Sequence, residues 1–161
     1  MAIAFNADEI FEMAEQIERN GGKFYRAAAE KFPAVRELLL ELAEWEDVHE
    51  RTFAKMRAEL PSGDSDPPVF DPDDQAQRYL RVMADGHIFN VDVDPSEQVA
   101  GRDTPEDILK MAIGVERDSI AFYVGLKQSV SPAAGKDKVE AIIREEIQHV
   151  AILNEKLEAL G

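Results

Sequence analysis

The sequence contains no cysteine, which excludes disulfides, thiolate-held metals and iron–sulfur clusters. Any metal must therefore be held by oxygen and nitrogen. Basic residues are also scarce: 18 Lys and Arg face 33 Asp and Glu, for a net charge of −15 and a pI near 4.5. That is the wrong sign for a surface that tracks phosphates, so nucleic acid is excluded as a partner. No run approaches the ~18 apolar residues of a membrane span. The opening Met1-Ala2-Ile3-Ala4-Phe5 has no basic segment, and the chain turns acidic by Asp8, so a soluble cytoplasmic protein is expected. The chain of 161 residues, 45% of them hydrophobic and 32% charged, matches one globular domain over 1–161.

Proline is sparse, and its eight positions (33, 61, 67, 68, 72, 95, 105 and 132) delimit where helices can run. Four long proline-free stretches predict helices at about 7–31, 34–60, 105–130 and 136–160. Asn6 and Glu9 form a capping-box pattern ahead of Ile10, Met13, Ala14 and Ile17, which recur at helical spacing. Pro33 suits the first turn of the second helix, with Val35, Leu38, Leu39, Leu42, Trp45, Phe53 and Met56 on its apolar stripe. Thr104-Pro105-Glu106-Asp107 opens the third, whose stripe includes Ile108, Met111, Ala112, Val115 and Phe122. Val139, Ile142, Ile143, Ile147, Val150, Leu153 and Leu157 mark the fourth. Gly21-Gly22 in the first helix marks either a kink or a close helix approach.

The joints are unequal. The first and second helices, like the third and fourth, are separated by a few residues, whereas 61–104 connects the two pairs. This is the connectivity of an all-α four-helix bundle with one long crossover, as in ferritin-like folds. Within the crossover, Ala76, Tyr79, Leu80 and Met83 predict one short extra helix ending at Gly86, with loop elsewhere.

Two of the three histidines follow a glutamate by three positions, in Glu46-Asp47-Val48-His49 and Glu146-Ile147-Gln148-His149. Positions i and i+3 share a helix face, so each pair can offer a carboxylate and an imidazole to one ion. The other two helices add a repeat: Ile17-Glu18-Arg19 with Phe24-Tyr25 returns 98 residues later as Val115-Glu116-Arg117 with Phe122-Tyr123. Register sharpens the pattern. Glu18 and the pair Glu46/His49 straddle the turn at Pro33, while Glu116 and Glu146/His149 straddle the turn at Pro132. At 1.5 Å rise per residue all six lie about 22 Å from the turns, near mid-bundle. Four buried carboxylates and two imidazoles are tolerable together only if cations join them, and two divalent ions would neutralise the four glutamates. The oxygen-rich, sulfur-free donor set suits iron or manganese, with zinc an acceptable substitute.

On these motifs the chain resembles the rubrerythrin branch of the ferritin-like proteins, along all four helices. The resemblance implies two iron ions per chain, with Glu46 and Glu146 bridging or chelating, His49 and His149 terminal, and Glu18 and Glu116 completing the ions. It implies activation of hydrogen peroxide or dioxygen at a diferrous centre. Rubrerythrins proper carry a second glutamate three residues after the third-helix ligand, where this chain has Ser119. That change leaves a six-ligand set resembling bacterioferritin and leaves redox-linked ligand exchange and peroxide preference without support. The four-cysteine rubredoxin domain usual in the family is missing from the sequence, so an external electron donor or incoming Fe(II) is expected.

Three functions follow as alternatives: a di-iron oxidoreductase reducing peroxide or dioxygen, a ferroxidase handling Fe(II), and a structural bundle with a vestigial site. Tyr25 and Tyr123 are the candidate catalytic side chains, hydrogen-bonding a ligand on a facing helix or relaying single electrons, with ordinary core tyrosine as the alternative. His87 has no acidic partner at ligand spacing and reads as a loop residue. Asn90-Val91-Asp92-Val93-Asp94 imitates a calcium loop, but Pro95 and Gly101 occupy the positions where glycine and glutamate are required. Trp45, Met13, Met56 and Met111 read as packing, and most of Glu15, Glu44, Glu50 and Glu145, which lie near the ligands in sequence, read as surface acids. A carboxylate behind His49 or His149 is expected, though spacing does not name it. A homodimer is the expected assembly.

Overall fold

The computed structural model describes residues 5–60, 73–84 and 94–161. Their helices are α1 (Ala7–Lys31), α2 (Arg36–Ala58), α3 (Gln75–Ala84), α4 (Pro95–Ala100), α5 (Pro105–Ser129) and α6 (Lys136–Leu160), with no strand among the described residues. The caps explain the boundaries. Asn6 accepts from the Glu9 amide at 2.8 Å while the Glu9 carboxylate accepts from the Asn6 amide at 2.9 Å, which satisfies two donors at the start of α1. Thr104 accepts from the Asp107 amide at 3.1 Å and starts α5. Pro33–Val35 forms a short 3₁₀ turn rather than the first turn of α2, because the chain reverses tightly there before the α-helical bonds begin at Arg36.

The crossover departs from expectation. α3 is the short helix predicted there, but Pro95–Ala100 forms a second one, α4, where loop was expected. Asp94 caps it by accepting from the Ser96 amide at 3.0 Å, and Pro95 fills its first turn. Lys31 of α1 closes the other end, donating to the carbonyls of Val99 at 3.3 Å, Ala100 at 3.1 Å and Arg102. Asp94 is thus a helix cap. Gly86, His87 and residues 90–93 lie outside the described residues.

α1 packs along α2 and α5 along α6, as two hairpins that meet through α1 and α5; α3 lies on α5 and α4 on α1. α3 can approach because position 125 is glycine: a Cβ there would stand 2.5 Å from the Tyr79 ring, whose hydroxyl donates to the Ala121 carbonyl at 2.6 Å. The apolar interior is divided. One cluster joins Ile10, Phe11, Phe53, Leu80, Phe122 and Val139, and the other joins Phe24, Ala28, Leu39, Leu42, Ile108 and Leu153. α3 contributes Leu80 to the first and α4 contributes Val99 to the second. Each short crossover helix therefore covers one apolar half.

Two side chains expected in the core are not there. Trp45 is 39% exposed and Ile147 is 53% exposed, because both lie at the edge of their helix stripe and no helix among the described residues covers that edge. Met56 is buried as expected, and Met13 and Met111 are half-buried against the clusters. No helix among the described residues is long and apolar enough to cross a membrane.

Candidate metal centre

Between the apolar clusters lies a polar layer. Glu18 comes from α1, Glu46 and His49 from α2, Glu116 from α5, and Glu146 and His149 from α6; none is more than 4% exposed. They form two overlapping groups, Glu18-Glu46-His49-Glu146 and Glu46-Glu116-Glu146-His149, in each of which one ligand atom per residue lies within 4.8 Å of the others. Glu46 and Glu146 belong to both. The sequence-predicted residues are thus brought to one place, with the two glutamates of the Glu-x-x-His pairs in the middle.

The hydrogen bonds cross between hairpins. Tyr25 of α1 donates to Glu116 Oε1 at 2.5 Å, and Tyr123 of α5 donates to Glu18 Oε1. Of the readings open for these tyrosines, the structure shows the contact with a carboxylate on a facing helix. His49 Nδ1 lies 2.9 Å from Glu146 Oε1 and 3.5 Å from Glu18 Oε2. His149 Nδ1 lies 3.0 Å from Glu146 Oε2 and 3.8 Å from Glu116 Oε1. The two imidazoles stack at 5.9 Å.

Burial and then mutual repulsion raise the carboxyl pKa values of Glu18, Glu46 and Glu116. Burial acts on Glu146 in the same direction, but hydrogen bonds from Glu116, His149 and His49 outweigh it and hold that carboxyl well below the usual range. Burial opposes charge on His49 too, yet Glu146 and Glu18 push its pKa up to about 11. Burial, with the neighbouring glutamates, keeps both tyrosines protonated well above their ordinary range. Two carboxylate oxygens, Glu18 Oε2 and Glu46 Oε1, are buried without a hydrogen-bond partner among the described residues. Orphaned acceptors of this kind are costly in a protein interior, and a cation is the partner that four carboxylates and two imidazoles would share. The donor set fits iron, manganese or zinc.

Sequence reasoning left one contact unassigned. Glu145, one of the acids near the ligands, accepts from His49 Nε2 at 2.7 Å while remaining 37% exposed at its side chain. It is the carboxylate expected behind a ligating imidazole. Its place beside Glu146 was the available signal, but only the rotation of α6 against α2 shows which histidine it reaches. Trp45 packs against both imidazoles, 6.1 Å from His49 and 5.9 Å from His149. Glu50 and Glu15 do pair at the surface, with Arg19 at 2.8 Å and Arg57 at 3.0 Å. Ser119 turns back on its own helix, donating to the Val115 carbonyl at 3.1 Å.

Two helical hairpins, a long crossover and a buried layer of glutamates and histidines define a ferritin-like helical bundle. The chain belongs to the rubrerythrin family, whose pattern it matches over residues 9–94. It is similar over 100% of both chains to a crystal structure from Thermotoga maritima described as a candidate ferritin-like diiron-carboxylate protein, with 27% identity and a TM-score of 0.72. No curated protein matches the chain in sequence.

Proposed function

We propose that Glu18, Glu46, His49, Glu116, Glu146 and His149 hold two iron ions and that the centre reduces hydrogen peroxide or dioxygen. The observation that carries this reading is the pair of overlapping four-residue groups sharing Glu46 and Glu146, which would give two adjacent ions two carboxylates in common. Iron, when bound, supplies the redox chemistry. The chain supplies the rest. Four glutamates balance the charge of two divalent ions, and the apolar clusters on either side keep the layer dry, so that polar contacts within it are strong. Tyr25 and Tyr123 hold Glu116 and Glu18 in orientation and are the side chains nearest to give a proton or a single electron. Reduction of one peroxide to two waters consumes two electrons and two protons. With no cysteine in the 161 residues, the electrons arrive from an external donor or from incoming Fe(II). The reading includes a cytoplasmic homodimer, with manganese or zinc able to replace iron.

A second reading, ferroxidase and iron handling, is favoured by Ser119. Its hydroxyl is satisfied within α5, so position 119 adds no seventh ligand to the six proposed. One experiment separates the two. Protein loaded anaerobically with Fe(II) is mixed in a stopped-flow instrument with hydrogen peroxide or with dioxygen. Faster oxidation by peroxide, returning after chemical re-reduction, supports the peroxidase. Faster oxidation by dioxygen that continues through further Fe(II) additions replaces it with the ferroxidase. Failure to retain iron overturns both and leaves a structural bundle.

A further inference from the structure

The two halves of the centre repeat each other at a spacing of 100 residues along α2 and α6: Glu46 answers Glu146 and His49 answers His149. At the same spacing, position 45 answers position 145, and there the repeat fails, with Trp45 against Glu145. The consequence is chemical. His49 Nε2 is tied to Glu145 at 2.7 Å, which leaves Nδ1 as the nitrogen facing Glu18 and Glu146. His149 likewise turns Nδ1 toward the carboxylates, and among the described residues its ion pairs all run through that nitrogen. The side chain standing where a second carboxylate would be is an indole, which has a donor and no acceptor. A neutral imidazole that binds metal through Nδ1 also presents a donor at Nε2, and two donors cannot pair.

We infer that the two halves bind metal unequally, and that Glu145 makes the Glu18–His49 half the tighter one. The inference rests on the dinuclear reading above and adds a positioning residue to it. A carboxylate behind a ligating histidine fixes the tautomer and ring orientation and raises the basicity of the metal-binding nitrogen, and its loss costs about 10–100-fold in affinity. Trp45 does not account for the difference by shielding, because it lies nearly as close to His49 as to His149. The distinguishing feature is the acceptor at 145 and its absence at 45.

The test is a titration of the metal-free protein with Co(II), followed in every variant by visible absorption and, where Trp45, the one tryptophan in the sequence, is kept, by quenching of its emission. Zn(II) competition against a chromophoric chelator supplies the absolute affinities. Wild type is expected to bind in two steps separated by about 10–100-fold. E145Q should weaken the first step by that factor and leave the second where it was, a selectivity that general damage to the bundle would not produce. W45E, at an already exposed position, should tighten the second step, whereas W45F, which adds no acceptor, should leave the gap intact. Two equal steps in the wild type, or an E145Q protein with the wild-type gap, would overturn the inference while leaving two metals in place. Binding of fewer than two ions by the wild type would instead overturn the dinuclear reading, and the inference with it.

Discussion

Compared position by position, the α1–α2 and α5–α6 hairpins agree where their side chains turn inward: Ile10 with Ile108, Ala14 with Ala112, Glu18 with Glu116, Tyr25 with Tyr123, Leu42 with Ile142. They differ around the shared carboxylates, where Gly21 stands against Ser119 and Trp45 against Glu145. The outcome is an uneven division of hydrogen bonds. Glu146 takes both histidines, at 2.9 and 3.0 Å, and those bonds hold its pKa down, while Glu46 takes neither and has one buried oxygen with no hydrogen-bond partner among the described residues. Similar side chains in similar places therefore do not make equivalent groups. In a layer this buried, hydrogen bonds from the imidazoles favour the charged form of one carboxylate over that of the other.

The strongest way to break the comparison is to remove a residue common to both groups. Glu46→Ala should abolish both positions, whereas Glu18→Ala should abolish one, because Glu46 occurs in both ligand groups and Glu18 in a single one. Metal analysis after dialysis is expected to fall from about two ions per chain to almost none for the first and to about one for the second. Equal losses would mean that the halves are not joined through Glu46.

Gly21 gives the next largest effect. A Cβ at that position would stand 2.1 Å from Glu46 Oε2, so Gly21→Ala must push the carboxylate aside. The atom displaced is the end of a flexible side chain, so folding should survive, while metal affinity drops about 10–100-fold. Circular dichroism and metal competition together check this. Ser119→Ala, at the corresponding place in α5, already has its Cβ accommodated and should change affinity far less.

The tyrosines sharpen the symmetry. Tyr25→Phe and Tyr123→Phe each remove one buried bond to a carboxylate, and each should cost about 1.5 kcal/mol in urea denaturation of the metal-free protein. Clearly unequal costs would show that Glu18 and Glu116 are not held alike.

The most gradual effect is spread over pH. Glu18, Glu46 and Glu116 have raised values in the metal-free fold, so the stability they contribute is present below their ordinary 4.5 and is lost as pH rises through the raised values. His49 acts in the same sense, its contribution being present below 6.5 and lost as pH rises through about 11. Glu146 acts in the opposite sense, contributing above 4.5 and losing that contribution as pH falls. With the raised groups in the majority, the metal-free protein should lose thermal stability from about pH 5 to about pH 8, and the gain on adding metal should widen over the same range as protons compete less for the ligands. Melting curves with and without Zn(II) test this, and a gain that shrinks with rising pH would contradict it.

Much of this organisation was legible in the residues. The prolines and the Asn6 and Thr104 caps place the long helices to within a residue or two, and the repeat with its register selects Glu18, Glu46, His49, Glu116, Glu146 and His149 out of many acids. α4 escaped because six residues are too few for a helical period to show, although Asp94-Pro95 with Glu97 is a helix start. Trp45 and Ile147 were misplaced for a different reason: helical spacing says which face a residue shares, and not whether a neighbouring helix covers that edge.

By itself, the sequence determined which residues share a face and at what height along the bundle, because a helix converts residue number into direction and rise. Only the tertiary structure decided that Glu146 rather than Glu46 takes both imidazoles, that Glu145 reaches His49, and that the tyrosines cross between hairpins. Those outcomes depend on the rotation of one helix against another and on which buried oxygen finds a donor, and both are settled by packing among all the helices at once.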